Sequence, residues 1–141
     1  MMALNPEQVA FVVLTLPNEE LVLQRRHGHT HFENCLGFYG GGIEVGESPL
    51  EALQRELTEE TDLQPSELQL KSLDRFVLEV SPRRVLEFHA FIGRVSVHNF
   101  IDTDGGSPEN YSLNELNKRT DLTPGSRAML DRLNERNTQW H

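Results

Sequence analysis

Glu56, Glu59 and Glu60 stand within five residues of one another, shortly after the glycines Gly40, Gly41, Gly42 and Gly46 and the acid Glu47. Carboxylates gathered this closely suit a hard divalent cation. Mg2+ takes oxygen ligands, keeps several waters and leaves positions open for substrate phosphates. Successive glycines let a backbone bring its carbonyls or amides close to a metal or ligand. A solvated acidic helix face is the other explanation for such a row, and an ordinary flexible turn is the other explanation for the glycines.

The element that must position the carboxylates is a helix. Ser48 followed by Glu51 is a capping box, and Pro49 falls at the first helical position, where its missing N–H costs nothing. Leu50, Leu53 and Leu57 recur at i, i+3 and i+7 and predict one buried stripe. At about 100° per residue the three glutamates form a neighbouring stripe. For stability alone that is a poor arrangement. Like charges at these spacings cost on the order of 0.2–0.5 kcal/mol each, and anions near a helix C-terminus oppose its dipole. Arg55 lies four residues from both Glu51 and Glu59, so it offsets part of this repulsion.

The spacing Gly41, five residues, Glu47, seven residues, then Arg55-Glu56-Leu57-Thr58-Glu59-Glu60-Thr61-Asp62-Leu63 resembles the Nudix box, G-x5-E-x7-R-E-U-x-E-E-x-G-U with U aliphatic. Asp62 replaces the last glycine, which in the family closes the helix in a left-handed conformation that Asp tolerates comparatively well. The resemblance implies that Glu56, Glu59 and Glu60 bind metal, joined by the carbonyl of Gly40, and that Arg55 and Glu47 hold those carboxylates in place. It further implies Mg2+, with Mn2+ as a substitute, and hydrolysis of a nucleoside diphosphate linked to another group. A nucleoside triphosphate is the expected substrate of this pyrophosphohydrolase. ADP-ribose or a nucleotide sugar is the alternative, and a non-catalytic nucleotide sensor is a third reading. The base that activates water stays open among Glu56, Glu59 and a downstream loop carboxylate. By the same resemblance to MutT-like proteins, Arg26 is a candidate substrate contact and Asp104 a candidate extra acid. The family's purine-reading Asn before the last helix has no match at Pro124-Gly125-Ser126.

Composition limits the partners. A chain of 141 residues is the size of one domain, read as a single unit over 1–141. Thirteen Lys and Arg against 22 Asp and Glu give a formal charge of −9, which argues against polymeric nucleic acid but not against a small nucleotide whose charge a metal masks. Cys35 is the only cysteine, so an intrachain disulfide is excluded. Without a signal-like or membrane-length apolar segment, the expectation is a cytoplasmic monomer or homodimer that binds no membrane.

Along the chain, Val9–Leu16 and Leu21–Gln24 read as a hairpin, with Arg25 and Arg26 as edge-strand charge at its end. His27, His29 and His31 read as a solvated loop, since alternate spacing in a loop fixes no metal geometry. Leu36 to Tyr39 reads as a short strand entering a glycine turn, with Phe38 and Tyr39 able to stack on a base or pack in the core. Pro65-Ser66 marks a turn. Leu70–Leu73 reads as a short strand, and Arg75–Val80 and Val85–Val97 as a hairpin in which Glu79, Glu87 and His89 face solvent. Residues 101–111 read as a loop in which Glu109 is a further candidate acid. Ser112 to Glu115 caps a short helix, and Ser126–Asn137 is the last helix, with Met129, Leu130 and Leu133 inward. The elements and the family resemblance together give an α+β fold, an α/β/α sandwich around a central mixed sheet.

Overall fold

The structure, a computed structural model, describes residues 5–28, 32–64, 68–95 and 105–137. The apolar run that begins at Val9 forms β1 (Glu7–Thr15), whose successive side chains alternate between two cores. Ala10, Val12 and Leu14 face one side, and Phe11 and Val13 the other. A strand buried on both faces reads as a continuous hydrophobic stretch, which is why no polar alternation is visible. Beyond a turn comes β2 (Leu21–Arg26), paired antiparallel to the end of β1 through Leu14 and Thr15.

One edge of β1 is occupied by β6 (Arg84–Arg94), parallel over nine residue pairs. The other edge is shared. Its first half, Val9 to Val12, pairs with β4 (Tyr39–Gly42), and its end pairs with β2. The sheet therefore splits between β4 and β2. Past the split, β2 pairs with β3 (Leu36–Gly37) and with β7 (Gly106–Tyr111). On the far side β5 (Lys71–Ser81) joins β6 and gives the strand order β3-β2-β1-β6-β5.

Helix α1 (Pro49–Glu60) covers one face, over Ala10, Val12, Tyr39 and Phe91. Helices α2 (Leu113–Asn117) and α3 (Pro124–Asn137) cover the other, where Leu116, Met129, Leu130 and Leu133 pack on a cluster of phenylalanines. Phe11 meets Phe38 edge-on at 5.6 Å, and Phe88 stacks on Phe76 at 5.2 Å. This is the expected sandwich with a mixed sheet. Among the described residues no helix is long and apolar enough to cross a membrane.

Several local expectations are corrected. The glycines are not a turn: Gly40 to Gly42 are strand β4, because they find a partner in β1. Gly40 is required there, since a Cβ would lie 2.1 Å from the Ala10 carbonyl. Part of the stretch read as a loop, Gly106 to Tyr111, is strand β7, and it gives β2 a second neighbour. Arg25 is consequently not edge-strand charge. Its guanidinium binds both oxygens of Glu109 at 2.8 and 2.9 Å and Asp121 at 2.8 Å. The proposed strand Leu70–Leu73 runs on into one long β5, with a register shift between Ser72 and Asp74. Leu50 is exposed, and Ala52 takes its place in the buried stripe. Helix α1 ends at Thr61 in extended conformation, and Asp62 does not adopt a positive φ. Glu87 does not face solvent but is buried beneath Arg75, and His89 bonds Gln8 at 2.7 Å, while Glu79 is exposed as expected. His29, His31, Asp104 and the turn at Pro65-Ser66 lie outside the described residues.

Candidate active site

Helix α1 starts where the sequence says it should. The Ser48 side chain accepts from the Glu51 N–H at 3.1 Å, and Glu51 accepts from the Ser48 N–H at 2.9 Å. The cap fixes the rotation of the helix, and Leu53 and Leu57, fully buried, seat it on the sheet. Glu56 is thereby carried against β4. A Cβ on Gly41 would lie 2.6 Å from the Glu56 carboxylate, so the missing side chain at position 41 makes room for that carboxylate.

Arg55 braces the acids. It forms a fork onto both oxygens of Glu47, at 2.8 and 3.0 Å, and donates to Glu56 Oε1 at 2.9 Å and to the Gly42 carbonyl at 3.0 Å. Glu47 also accepts from the Glu44 N–H at 2.9 Å. The Arg55 hydrogen bonds, helped by that backbone N–H, hold Glu47 below the usual carboxylate range. The same contacts raise Arg55.

Glu60 is the strained member. Burial, first, and then its hydrogen bond and proximity to Glu56 push its carboxyl up to about 9. Its Oε2 is buried without a hydrogen-bond partner. A buried oxygen beside a second carboxylate, with no donor to satisfy it, fits a cation as ligand. Glu59 is 58% exposed on the neighbouring turn. Among the described residues no three carboxylate, imidazole or thiol groups converge on one point, and Glu56 pairs with Arg55 at 2.9 Å.

Arg26 lies across the split in the sheet. Desolvation lowers its pKa, and the charges of Glu60 on α1 and of Cys35 oppose that shift. Arg26 also lines a cavity of about 200 Å³ that opens on the α3 side of β4. Phe11, Phe38, Leu86 and Phe88 form apolar walls there, and Thr123, Ser126 and Arg84 add polar groups. The glycine strand thus has carboxylates on one face and an aromatic cavity on the other, with Arg26 between them.

The structure brings together Glu47, Arg55, Glu56 and Glu60, and it places Gly40, Arg26 and Phe38 along the cavity. Tyr39 is a correction: it is 1% exposed and packs in the core beneath α1, because neighbouring strand residues face opposite ways. Glu109 is held by Arg25 and accepts from the Tyr111 hydroxyl, away from the carboxylates of α1. The sequence reading gives no site role to Arg84, Thr123 or Phe88, and takes Ser126 only as the start of the last helix. Thr-Pro-Gly-Ser looks like an ordinary helix entrance, and Phe88 like any core residue. Only the turn residues at 123–126 carried a signal.

Comparison with known proteins agrees with this geometry. Residues 6–133 match the model of the NUDIX domain. A 63-residue segment is 40% identical to the 8-oxo-dGTP diphosphatase of Escherichia coli K12, covering 45% of this chain and 49% of that one, so the match spans about half the length of that relative. The MutT protein of Methanosarcina mazei superposes with a TM-score of 0.81 at 19% identity, over 96% of this chain and 99% of that one. The NUDIX domain of Shewanella oneidensis NrtR, solved with ADP ribose, gives 0.73 at 16% identity, over 94% and 88%. A domain match over nearly the whole length, falling on a helix whose acids are braced against a glycine strand, leaves one conclusion: the chain belongs to the Nudix family.

Proposed function

We propose that the chain is a Mg2+-dependent pyrophosphohydrolase that cleaves a nucleoside triphosphate to a monophosphate and pyrophosphate. The observation that carries this reading is Glu60, a buried carboxylate with an unpaired oxygen, set beside Glu56 and within the electrostatic influence of Arg26. Glu56, Glu59 and Glu60, with the carbonyl of Gly40, would hold the metal. When bound, the metal supplies charge neutralisation for phosphate oxygens and lowers the pKa of an attacking water.

The chain's own residues do the rest. Arg55 and Glu47 fix the rotamer of Glu56, so the carboxylate needs little reorganisation before reaction. Arg26 presents a guanidinium toward the phosphates from the opposite wall. The aromatic cavity receives the base, which orients the chain of phosphates past the end of β4. Water adds to phosphorus as the anhydride P–O bond breaks. A carboxylate takes the water's proton, and the leaving phosphate departs with the bond's electron pair.

The relative named for 8-oxo-dGTP supports a triphosphate substrate, and the ADP ribose complex of NrtR supports the alternative of a nucleotide joined to a sugar. A panel of NTPs, dNTPs, ADP-ribose and nucleotide sugars, assayed by product identity with Mg2+ and with chelator, tests the proposal. Pyrophosphate and a monophosphate from a triphosphate support it. Cleavage of ADP-ribose alone moves the substrate to the alternative, and silence from folded protein points to a sensor.

A further inference from the structure

The protein carries a formal charge of −9, yet among the described residues that line the cavity none is acidic. Asn, Gln and His are also absent from that lining. Its charged side chains are the donors Arg26 and Arg84. Arg84 uses Nε to bind Glu7 at 2.9 Å, which leaves the N–H groups of its two terminal nitrogens for a ligand. Ser126 Oγ accepts from the Phe38 N–H at 3.0 Å and shares a hydrogen bond of 2.8 Å with the Thr123 hydroxyl, in which either oxygen can be the donor. Gly125 and Ser126 lie in the first turn of α3, where backbone N–H groups have no acceptor within the helix. Among the described lining residues the side-chain acceptors are the hydroxyls of Thr123 and Ser126, which already bond each other.

Building on the pyrophosphohydrolase reading, we infer that the cavity selects the base by its acceptors, favouring heterocycles with a ring carbonyl at the inserted edge over those with an exocyclic amine there. With the purine C6 or pyrimidine C4 position inserted, hypoxanthine, guanine and uracil belong to the first group, adenine and cytosine to the second. A base seated between the apolar walls gives up hydrating water, so an amine pressed against Arg84 finds donors facing donors. A buried donor without an acceptor loses its hydration with no return. A carbonyl in the same place accepts from the Arg84 fork. Sites built to hydrogen-bond one group discriminate strongly against analogues that leave their polar groups unpaired.

The test is kcat/KM for ITP, GTP and UTP against ATP and CTP, with Mg2+, in the native protein and in Arg84→Met and Thr123→Val. Arg84→Met keeps an apolar stem and removes the donors. We expect a preference of about tenfold or more for the carbonyl group, equivalent to a single paired hydrogen bond. In Arg84→Met it should shrink to about threefold or less, mainly through KM, with Tm unchanged. ATP or CTP turned over as well as ITP, or a preference unaltered in both variants, overturns the inference. Calorimetric binding of IMP against AMP reads the cavity without turnover. Tighter IMP binding that is lost in Arg84→Met supports the selection even if no triphosphate is cleaved, in which case only the hydrolase reading falls. Equal binding of the two, or binding of neither, overturns the selection even in an active enzyme.

Discussion

Substituting the three consecutive glycines of β4 one at a time separates the role of the strand from the role of the site. At Gly41 a new Cβ would meet the Glu56 Cδ and Oε1 at 2.6 Å and Oε2 at 2.9 Å. Ordinary carbon contacts begin near 3.5 Å, so the carboxylate must retreat by about 1 Å. Retreat is cheap for the fold, because the displaced atoms end a flexible side chain. The Arg55–Glu56 pair that it weakens is partly exposed and is worth roughly 0–1 kcal/mol. Replacing Gly with Ala returns about 0.4–1 kcal/mol by restricting the unfolded chain. Stability in Gly41→Ala should therefore stay within about 1 kcal/mol of the parent, while a misplacement of this size at a catalytic ligand costs on the order of 100-fold in kcat/KM. Gly40→Ala is the contrast. Its Cβ would strike the Ala10 carbonyl at 2.1 Å and the Phe11 Cα at 2.6 Å, at a φ of 152°, and backbone cannot yield as a side chain does. That variant should lose about 2 kcal/mol or more, or fail to fold. Gly42→Ala meets nothing within 4 Å and should be neutral on both counts. Urea denaturation and steady-state kinetics at saturating Mg2+ measure all three. Parental activity in a folded Gly41→Ala would refute the placement of Glu56 against β4.

Three further outcomes follow from named contacts. Because the folded pKa of Glu60 is raised, the metal-free protein has the stability tied to this group in full below about pH 4.3, the unfolded value. It loses that stability as pH rises toward about 9, so Tm measured in EDTA should fall across the window and the slope should flatten in Glu60→Gln. Asp74 receives Arg132 at 2.6 Å and Arg136 at 2.9 Å from α3, and hydrogen bonding to Arg132 is the main cause of its depressed pKa. Its contribution is present above the unfolded value near 3.9 and disappears as pH falls through the lower folded one. Asp74→Ala should cost about 1–2 kcal/mol in urea titration near pH 7 without changing kcat of the folded fraction. Glu59→Gln should abolish Mg2+-dependent turnover while unfolding remains cooperative, and full activity in that variant would remove Glu59 from the metal set.

The sequence alone determined what local rules control. The cap at Ser48 and Glu51, the burial of Leu53 and Leu57 and the stripe of glutamates all depend on neighbours within two helical turns, and their spacing carries that information. The tertiary structure decided whatever needed a distant partner. Glycines with weak local preference became a strand because β1 offered an edge, and Gly106 to Tyr111 did so because β2 offered another. Glu109, which in isolation reads as a loop acid, is claimed by Arg25 from 84 residues away. Tyr39 went to the core and Phe38 to the cavity by the parity of the strand, which composition cannot show. The cavity draws on residues from Val9 to Ser126, so a lining that is free of acids among the described residues exists only after the sheet has split and α3 has docked. Metal chemistry is written in a contiguous motif because one helix can carry several carboxylates. Substrate choice is not, because a pocket must be enclosed from several sides.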